Sequence, residues 1–233
     1  MMDVEWAAFV QSLAHANSTD SPLLPTLASQ QMWMRAAWAL VLAWVVARLV
    51  RRLNAGPWAL WSAWGTLAVW LYLPGAYSPS YWLGLAFQSP SLTTVGLCGA
   101  ALLNMAGKPV QQVAHRRRHL DHFGAEVFVL VIMGIAAGWL LLLDTFALLP
   151  GVQLYAWGFS PAAPAMLLLL ALLPWAASGN LGRSLKVSVA LALAVAVVFM
   201  AVHLPSGNVW DAVLDPWLWV TLHVWAWRWV RRH

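Results

Sequence analysis

Charge is what this sequence has least of. Asp, Glu, Lys and Arg make up 9% of its 233 residues, against roughly 25% in soluble domains. Hydrophobic residues make up 62% and the mean hydropathy is +0.69. Too few polar side chains remain to cover a water-soluble core, so lipid is the expected solvent for most of the chain. Soluble enzyme classes are excluded at this step.

Cysteine is almost absent as well. The single Cys98 excludes an internal disulfide and any multi-cysteine metal or iron–sulfur centre, and within an apolar segment it behaves as a small hydrophobe. The opening stretch, Met1 to Gln31, holds Asp3, Glu5 and Asp20 but no Lys or Arg. It therefore lacks the basic n-region and unbroken apolar core of a cleavable signal peptide. No internal repeat is evident, so the inverted-repeat signature of many secondary transporters is missing. The period-two alternation of a membrane barrel is missing too.

What is present is a series of apolar runs separated by Pro, Gly and charge, at residues 33–50, 57–74, 81–106, 125–149, 161–177, 185–204 and 214–230. Backbone polar groups in hydrocarbon must be satisfied within the segment, so these runs are expected to be helices. The expected fold is an all-α polytopic transmembrane helical bundle with about seven spans. About six is the alternative count, because the fifth run is short and Pro216 interrupts the seventh. Residues 1–32 read as an extracytoplasmic, partly amphipathic N-terminal segment, and residues 33–233 as a single transmembrane domain.

Charge sets the expected orientation. Arg48, Arg51 and Arg52 follow the first run, and Lys108 and Arg116 to Arg118 follow the third. Arg183 and Lys186 separate the fifth and sixth, and Arg228, Arg231 and Arg232 close the chain. These clusters fall on every second boundary, opposite Asp3, Glu5, Asp20, Asp144, Asp211 and Asp215, with Arg35 the only basic residue left on that other face. The positive-inside rule then puts the N-terminus outside and the C-terminus in the cytoplasm of a bacterial inner (cytoplasmic) membrane. The net charge of +5 is spent on this topology and on anionic lipid heads, so no nucleic-acid partner is expected. The 18 Trp residues fit interfacial belts, with Trp217 and Trp219 near the outer boundary and Trp225, Trp227 and Trp229 near the inner one.

Four groups of residues carry candidate chemistry. In the third run Gln88, Ser91, Thr94 and Cys98 recur at helical spacing and would share one face, either lining a polar path or bonding to neighbouring helices. His115, His119 and His122 have metal-ligand spacing, but Arg116, Arg117 and Arg118 between them oppose a cation, so a basic lipid-facing loop is the expected role. His223 lies near the middle of the seventh run, where an ionisable residue is a functional candidate; it is expected to be a neutral imidazole bonded to a neighbouring helix. At the outer face His203, Asp144, Asp211 and Asp215 could form an acid–base group, or the acids could merely cap the last helix. Ser178 and His203 fall at opposite membrane faces and cannot form a nucleophile–base pair. Gly134 and Gly138 form a GxxxG packing pair.

The centres of the predicted spans hold no Asp, Glu, Lys or Arg, which disfavours ion-coupled transport. The expected function is a non-catalytic subunit, assembly factor or scaffold of a larger membrane complex, with no cofactor and with other membrane subunits and the bilayer as partners. A small intramembrane enzyme with an outer-face His/Asp site and a passive channel or transporter lined by the third run are the alternatives.

Overall fold

The computed structural model describes residues 23–53, 57–106, 125–151, 153–178 and 183–231. The His115, His119 and His122 loop, its arginines and residues 1–22 lie outside them. Among the described residues the chain is helical, with no strand. The helices are α1 (Leu27–Arg52), α2 (Pro57–Tyr72), α3 (Pro79–Phe87), α4 (Leu92–Ala106), α5 (Ala125–Thr145), α6 (Leu154–Trp157), α7 (Ala163–Ser178), α8 (Arg183–Val202), α9 (Val209–Val213) and α10 (Pro216–Val230). Each predicted apolar run carries a helix. The short α6 and α9, inside connections, were not expected from hydropathy.

Two boundaries differ from the sequence reading for physical reasons. Helix α1 begins at Leu27 rather than at 33, because Thr26 caps it: its Oγ1 accepts the Ser29 N–H at 3.2 Å. Hydropathy measures the lipid-like stretch, and a capped helix can run past that stretch. The larger difference is in the third run, which is two helices rather than one. Pro90 has no N–H to donate and biases Ser89 away from helical dihedrals. The chain breaks at Gln88, whose φ of 59° and ψ of −157° lie in a region few side chains adopt. Gln88 therefore leaves the helical face that Ser91, Thr94 and Cys98 share.

The break frees backbone carbonyls, and tryptophans from α1 satisfy them. Trp38 Nε1 donates to the Gln88 carbonyl at 3.0 Å and Trp33 Nε1 to the Pro90 carbonyl at 3.2 Å. Trp64 on α2 donates to Ala43 of α1, and Trp219 on α10 to Ile135 of α5, both at 3.2 Å. These indoles therefore hold helix to helix, a role distinct from the expected interfacial belt.

Helix α1 packs on α2, α3 and α4, α7 lies along α8, and α10 lies along α5. The buried core is small and sits where α4, α7, α8 and α9 meet, around Leu92, Leu167, Ala196, Phe199 and Val209. Leu103, Leu169 and Val220 point outward. By length and hydropathy two described helices can cross a membrane, Leu27–Arg52 and Val127–Thr145. Helices α2, α4, α7 and α10 have 16, 15, 16 and 15 residues, or ~23 Å at 1.5 Å per residue, against a hydrocarbon core of about 30 Å.

The α5–α10 contact uses the GxxxG pair. A Cβ at Gly134 would lie 2.7 Å from Leu222 Cδ1, and one at Gly138 would overlap the Trp219 indole. The Trp219 ring meets Trp139 edge-on at 5.0 Å. Gly138→Val is therefore expected to cost about 1–3 kcal/mol through overpacking. Gly65→Ala, with nothing within 4 Å of the added methyl, should be neutral or stabilising. Thermal unfolding of the purified protein checks both, and equal melting of Gly138→Val and wild type would refute the packing account.

Candidate functional site

Asp215 and Pro216 open α10 with a helix-start signal, an acidic N-cap followed by proline at the first helical position. Asp215 Oδ1 accepts the Leu218 N–H at 2.8 Å. Its Oδ2 accepts the Ser91 N–H at 2.8 Å, the Ser91 hydroxyl at 2.7 Å and the Thr94 hydroxyl at 2.5 Å. Ser91 is itself the residue before α4, and its Oγ accepts the Thr94 N–H at 3.1 Å. One carboxylate, 6% exposed, thus faces the N-termini of α10 and α4 together. The positive ends of two helix dipoles stand in for a counter-ion. Asp215 is a cap, and its bonds reach a second helix as well as its own.

Beside this joint lies an open cleft of about 920 Å³, lined by the break at Phe87 and Gln88, by Asp144, Gln153, Tyr155 and Asp211, and by intervening apolar residues. Asp144, one residue before the end of α5, accepts the Tyr155 N–H on Oδ2 at 2.7 Å. Asp211, on α9, accepts the Tyr155 phenol at 2.8 Å and the Ser206 hydroxyl at 2.5 Å, also on Oδ2. Buried Asn208 fixes this arrangement. It caps α9 by accepting the Trp210 N–H at 2.9 Å and donates to the Tyr155 carbonyl at 2.9 Å. Trp210 Nε1 donates to the Leu154 carbonyl at 2.7 Å. A side chain at Gly158 would collide with Asn208 and Trp210, so a glycine stands there.

Burial raises the Tyr155 phenol above its ordinary value of 10.0, and the neighbouring Asp211 charge and hydrogen bond push it further in the same direction. Two of the residues lining the cleft, Gln88 and Ala147, hold positive φ values of 59° and 53°. Such non-glycine conformations cost about 1–3 kcal/mol each and gather at binding sites.

The predicted outer-face group is therefore brought together in part. Asp144 and Asp211 meet across Tyr155, and Asp215 adjoins them through a small pocket that it shares with Gln88 and Ser206. His203 lines neither cavity. It ends α8 in a left-handed turn (φ 54°), its N–H donating to the Phe199 carbonyl at 2.7 Å and its ring tilted on the Phe199 ring at 5.7 Å. In the third run, Ser91 and Thr94 serve Asp215, Gln88 faces the cleft and Cys98 is buried one turn deeper. His223 donates Nδ1–H to the Trp219 carbonyl of its own helix at 2.8 Å, since a carbonyl can only accept. Its ring sits edge-on to Trp219 at 4.7 Å. Among the described residues no three His, Cys, Asp or Glu side chains converge to hold a metal.

The sequence reading does not single out Tyr155, Ser206 or Asn208. A signal for Asn208 exists, an Asn followed three residues later by Asp211, as at a helix start. Nothing in the local sequence marks Tyr155.

Removing the shared cap should be costly. Asp215→Ala leaves two backbone N–H groups without a partner and is expected to lower stability by about 3 kcal/mol or more. Asp215→Asn keeps an acceptor for Leu218 but turns an N–H toward the Ser91 N–H, at about 1–3 kcal/mol. Denaturant unfolding measures both, and a wild-type midpoint for Asp215→Ala would refute the two-helix cap. Tyr155 gives a pH signature. Its folded-state value is raised, so its contribution is intact below pH 10.0 and is lost as pH rises beyond that. Unfolding at neutral pH and at about pH 11 should show wild type losing more stability than Tyr155→Phe.

Comparison of the chain with protein-family models, with curated proteins and with solved structures finds no match in any of the three.

Proposed function

We propose that the chain is a multi-pass protein of the inner membrane with about seven crossings, its N-terminus outside and its C-terminus in the cytoplasm. In this reading it acts without catalysis, as a subunit or assembly factor of a larger membrane complex, and its working feature is the cleft at the outer end. The observation that carries the membrane reading is α5. The stretch Val127–Thr145 has a mean hydropathy of 2.4, yet 6% of it is buried. A soluble core helix of that apolarity would be covered by protein, whereas here the apolar side chains face outward and require lipid or partner helices.

The charge distribution supports the orientation. Arg51 and Arg52 lie in the last turn of α1 and Arg228 in the last turn of α10. Arg231 stacks over the Trp227 ring at 4.4 Å. Asp144, Asp211 and Asp215 gather at the other end. The short helices are compatible with crossing where the bilayer thins or flanking side chains snorkel, and α10, at 15 residues, is the one on which the lower count turns.

The non-catalytic reading is supported by what the acids do. All of Asp215's hydrogen bonds go to helix caps and hydroxyls, and His203 ends a helix away from the cleft. The enzyme reading keeps one specific observation in its favour, the strained Gln88 beside Asp144 and Asp211 in an open cleft. The channel reading loses support because Ser91 and Thr94 are spent on Asp215.

Single-cysteine labelling tests the reading. In a Cys98→Ala background, Gln153→Cys should react with a membrane-impermeant maleimide added outside intact cells. Arg231→Cys should react only after the membrane is opened. The reverse pattern would overturn the orientation. An affinity-tagged chain taken from native membranes in mild detergent should elute with a stoichiometric membrane partner, and elution as a bare chain would rule out the subunit role.

A further inference from the structure

Both ends of α10 are pinned by contacts. At the outer end Asp215 caps it, and Pro216, its first residue, lines the open cleft. At the inner end Arg231 closes it, and the Arg231 guanidinium lies over the Trp227 ring at 4.4 Å. Pro216 and Trp227 are eleven residues apart, or ~17 Å at 1.5 Å per residue. The neighbouring α5 carries matching marks. Phe128 stacks on Trp229 at 4.1 Å, and Asp144, sixteen residues further along, lines the cleft, a rise of ~24 Å. Both distances fall short of a hydrocarbon core of about 30 Å.

The outward face of α10 has the composition of a lipid contact. Trp217, Val220, Val224 and Trp227 are 45%, 52%, 44% and 58% exposed, and at about 100° per residue they fall in one stripe. Exposed Arg228 and Arg231 end the same stripe. Tryptophan at both ends and arginine at the inner one mark membrane boundaries, and guanidinium groups pair with phosphate oxygens.

A helix too short for the bilayer is accommodated by snorkelling side chains, by partner helices or by thinning of the bilayer. Snorkelling is opposed at the inner end. Helical side chains lean toward the N-terminus, which on α10 is the outer end, and Arg231 accordingly lies back over Trp227, toward the bilayer centre. Tilt only shortens the crossing. We propose that phospholipid covers this stripe and that the bilayer is thinned beside α10, with lipid phosphates drawn in to Arg228 and Arg231. The proposal rests on the multi-pass reading and adds the partner of this face.

The probes are vesicles of phosphatidylcholine and phosphatidylglycerol with myristoleoyl, oleoyl or erucoyl chains, from short to long, each holding the full-length protein. Nitroxide labels are attached at Val220→Cys and Val224→Cys in the Cys98→Ala background. Oxygen, which collects in lipid, should relax both labels severalfold more than a nickel chelate, which stays in water. The depth of each label should hold constant across the three vesicles, because the lipid adapts to the helix. The melting temperature of the unlabelled protein should be highest in the myristoleoyl vesicles. Arg231→Gln, which removes a cation that holds the phosphate, should move that optimum to the oleoyl vesicles.

Label depth that grows with chain length, a stability maximum in oleoyl or erucoyl vesicles, or an optimum unmoved in Arg231→Gln overturns the thinning. Labels that neither reagent reaches are covered by protein, and labels relaxed more by the nickel chelate face water; either result overturns the lipid occupant. Maleimide labelling separates these failures from failure of the multi-pass reading. If Gln153→Cys reacts outside intact cells and Arg231→Cys only after the membrane is opened, α10 crosses and the loss is confined to the thinning. If both react from outside, α10 does not cross and the two readings fall together.

Discussion

A carboxylate buried at the meeting point of two helix N-termini organises this molecule. Burying an ionised group is costly unless its hydrogen-bonding capacity is filled. Asp215 is filled by two backbone N–H groups and two hydroxyls. Those donors come from α4 and α10, residues far apart in the chain, so the cost of burial is offset only when the two helices meet in one arrangement. Helix α4 is held at its other end as well, where the Arg51 guanidinium donates to the Met105 carbonyl at 2.6 Å. An acid at the N-terminus and a base at the C-terminus both complement the helix dipole.

The broken third run follows from that joint. Pro90 and the positive φ of Gln88 would be a defect in a lone helix, with carbonyls exposed in an apolar setting. Trp33 and Trp38 of α1 supply the missing donors, and Asp215 takes the first N–H after the break. Irregular backbone inside an apolar bundle is tolerated where protein groups satisfy it, and here Trp33, Trp38 and Asp215 do so. The break is stapled on one side and opens onto the cleft on the other.

The cleft in turn depends on the stitching of the two connections that form its far wall. Asn208, Trp210 and Asp211 bind α9 to the backbone and phenol of the segment around Tyr155, and Asp144 holds that segment to the end of α5. Each contact takes a polar group from one connection and satisfies it on the other. Asp144 and Asp211 are thereby both tied to Tyr155, one at its backbone N–H and the other at its phenol.

The residue pattern alone determined that the chain is helical, roughly where each helix runs, and that most of its arginines sit on different connections from Asp144, Asp211 and Asp215. These properties are local. Apolar runs, caps such as Asp215 followed by Pro216, and basic clusters are legible in a few consecutive residues. Tertiary structure decided which acid is a joint and which face a cavity, that His203 ends a helix beyond the cleft, and that Gln88 parts from Ser91 and Thr94. It also brought in Tyr155, which no local signal marks. The Ser91–Asp215 bond joins residues 124 positions apart. No periodicity spans that distance, because helical repeats report the environment a side chain prefers and leave open the partner it finds there.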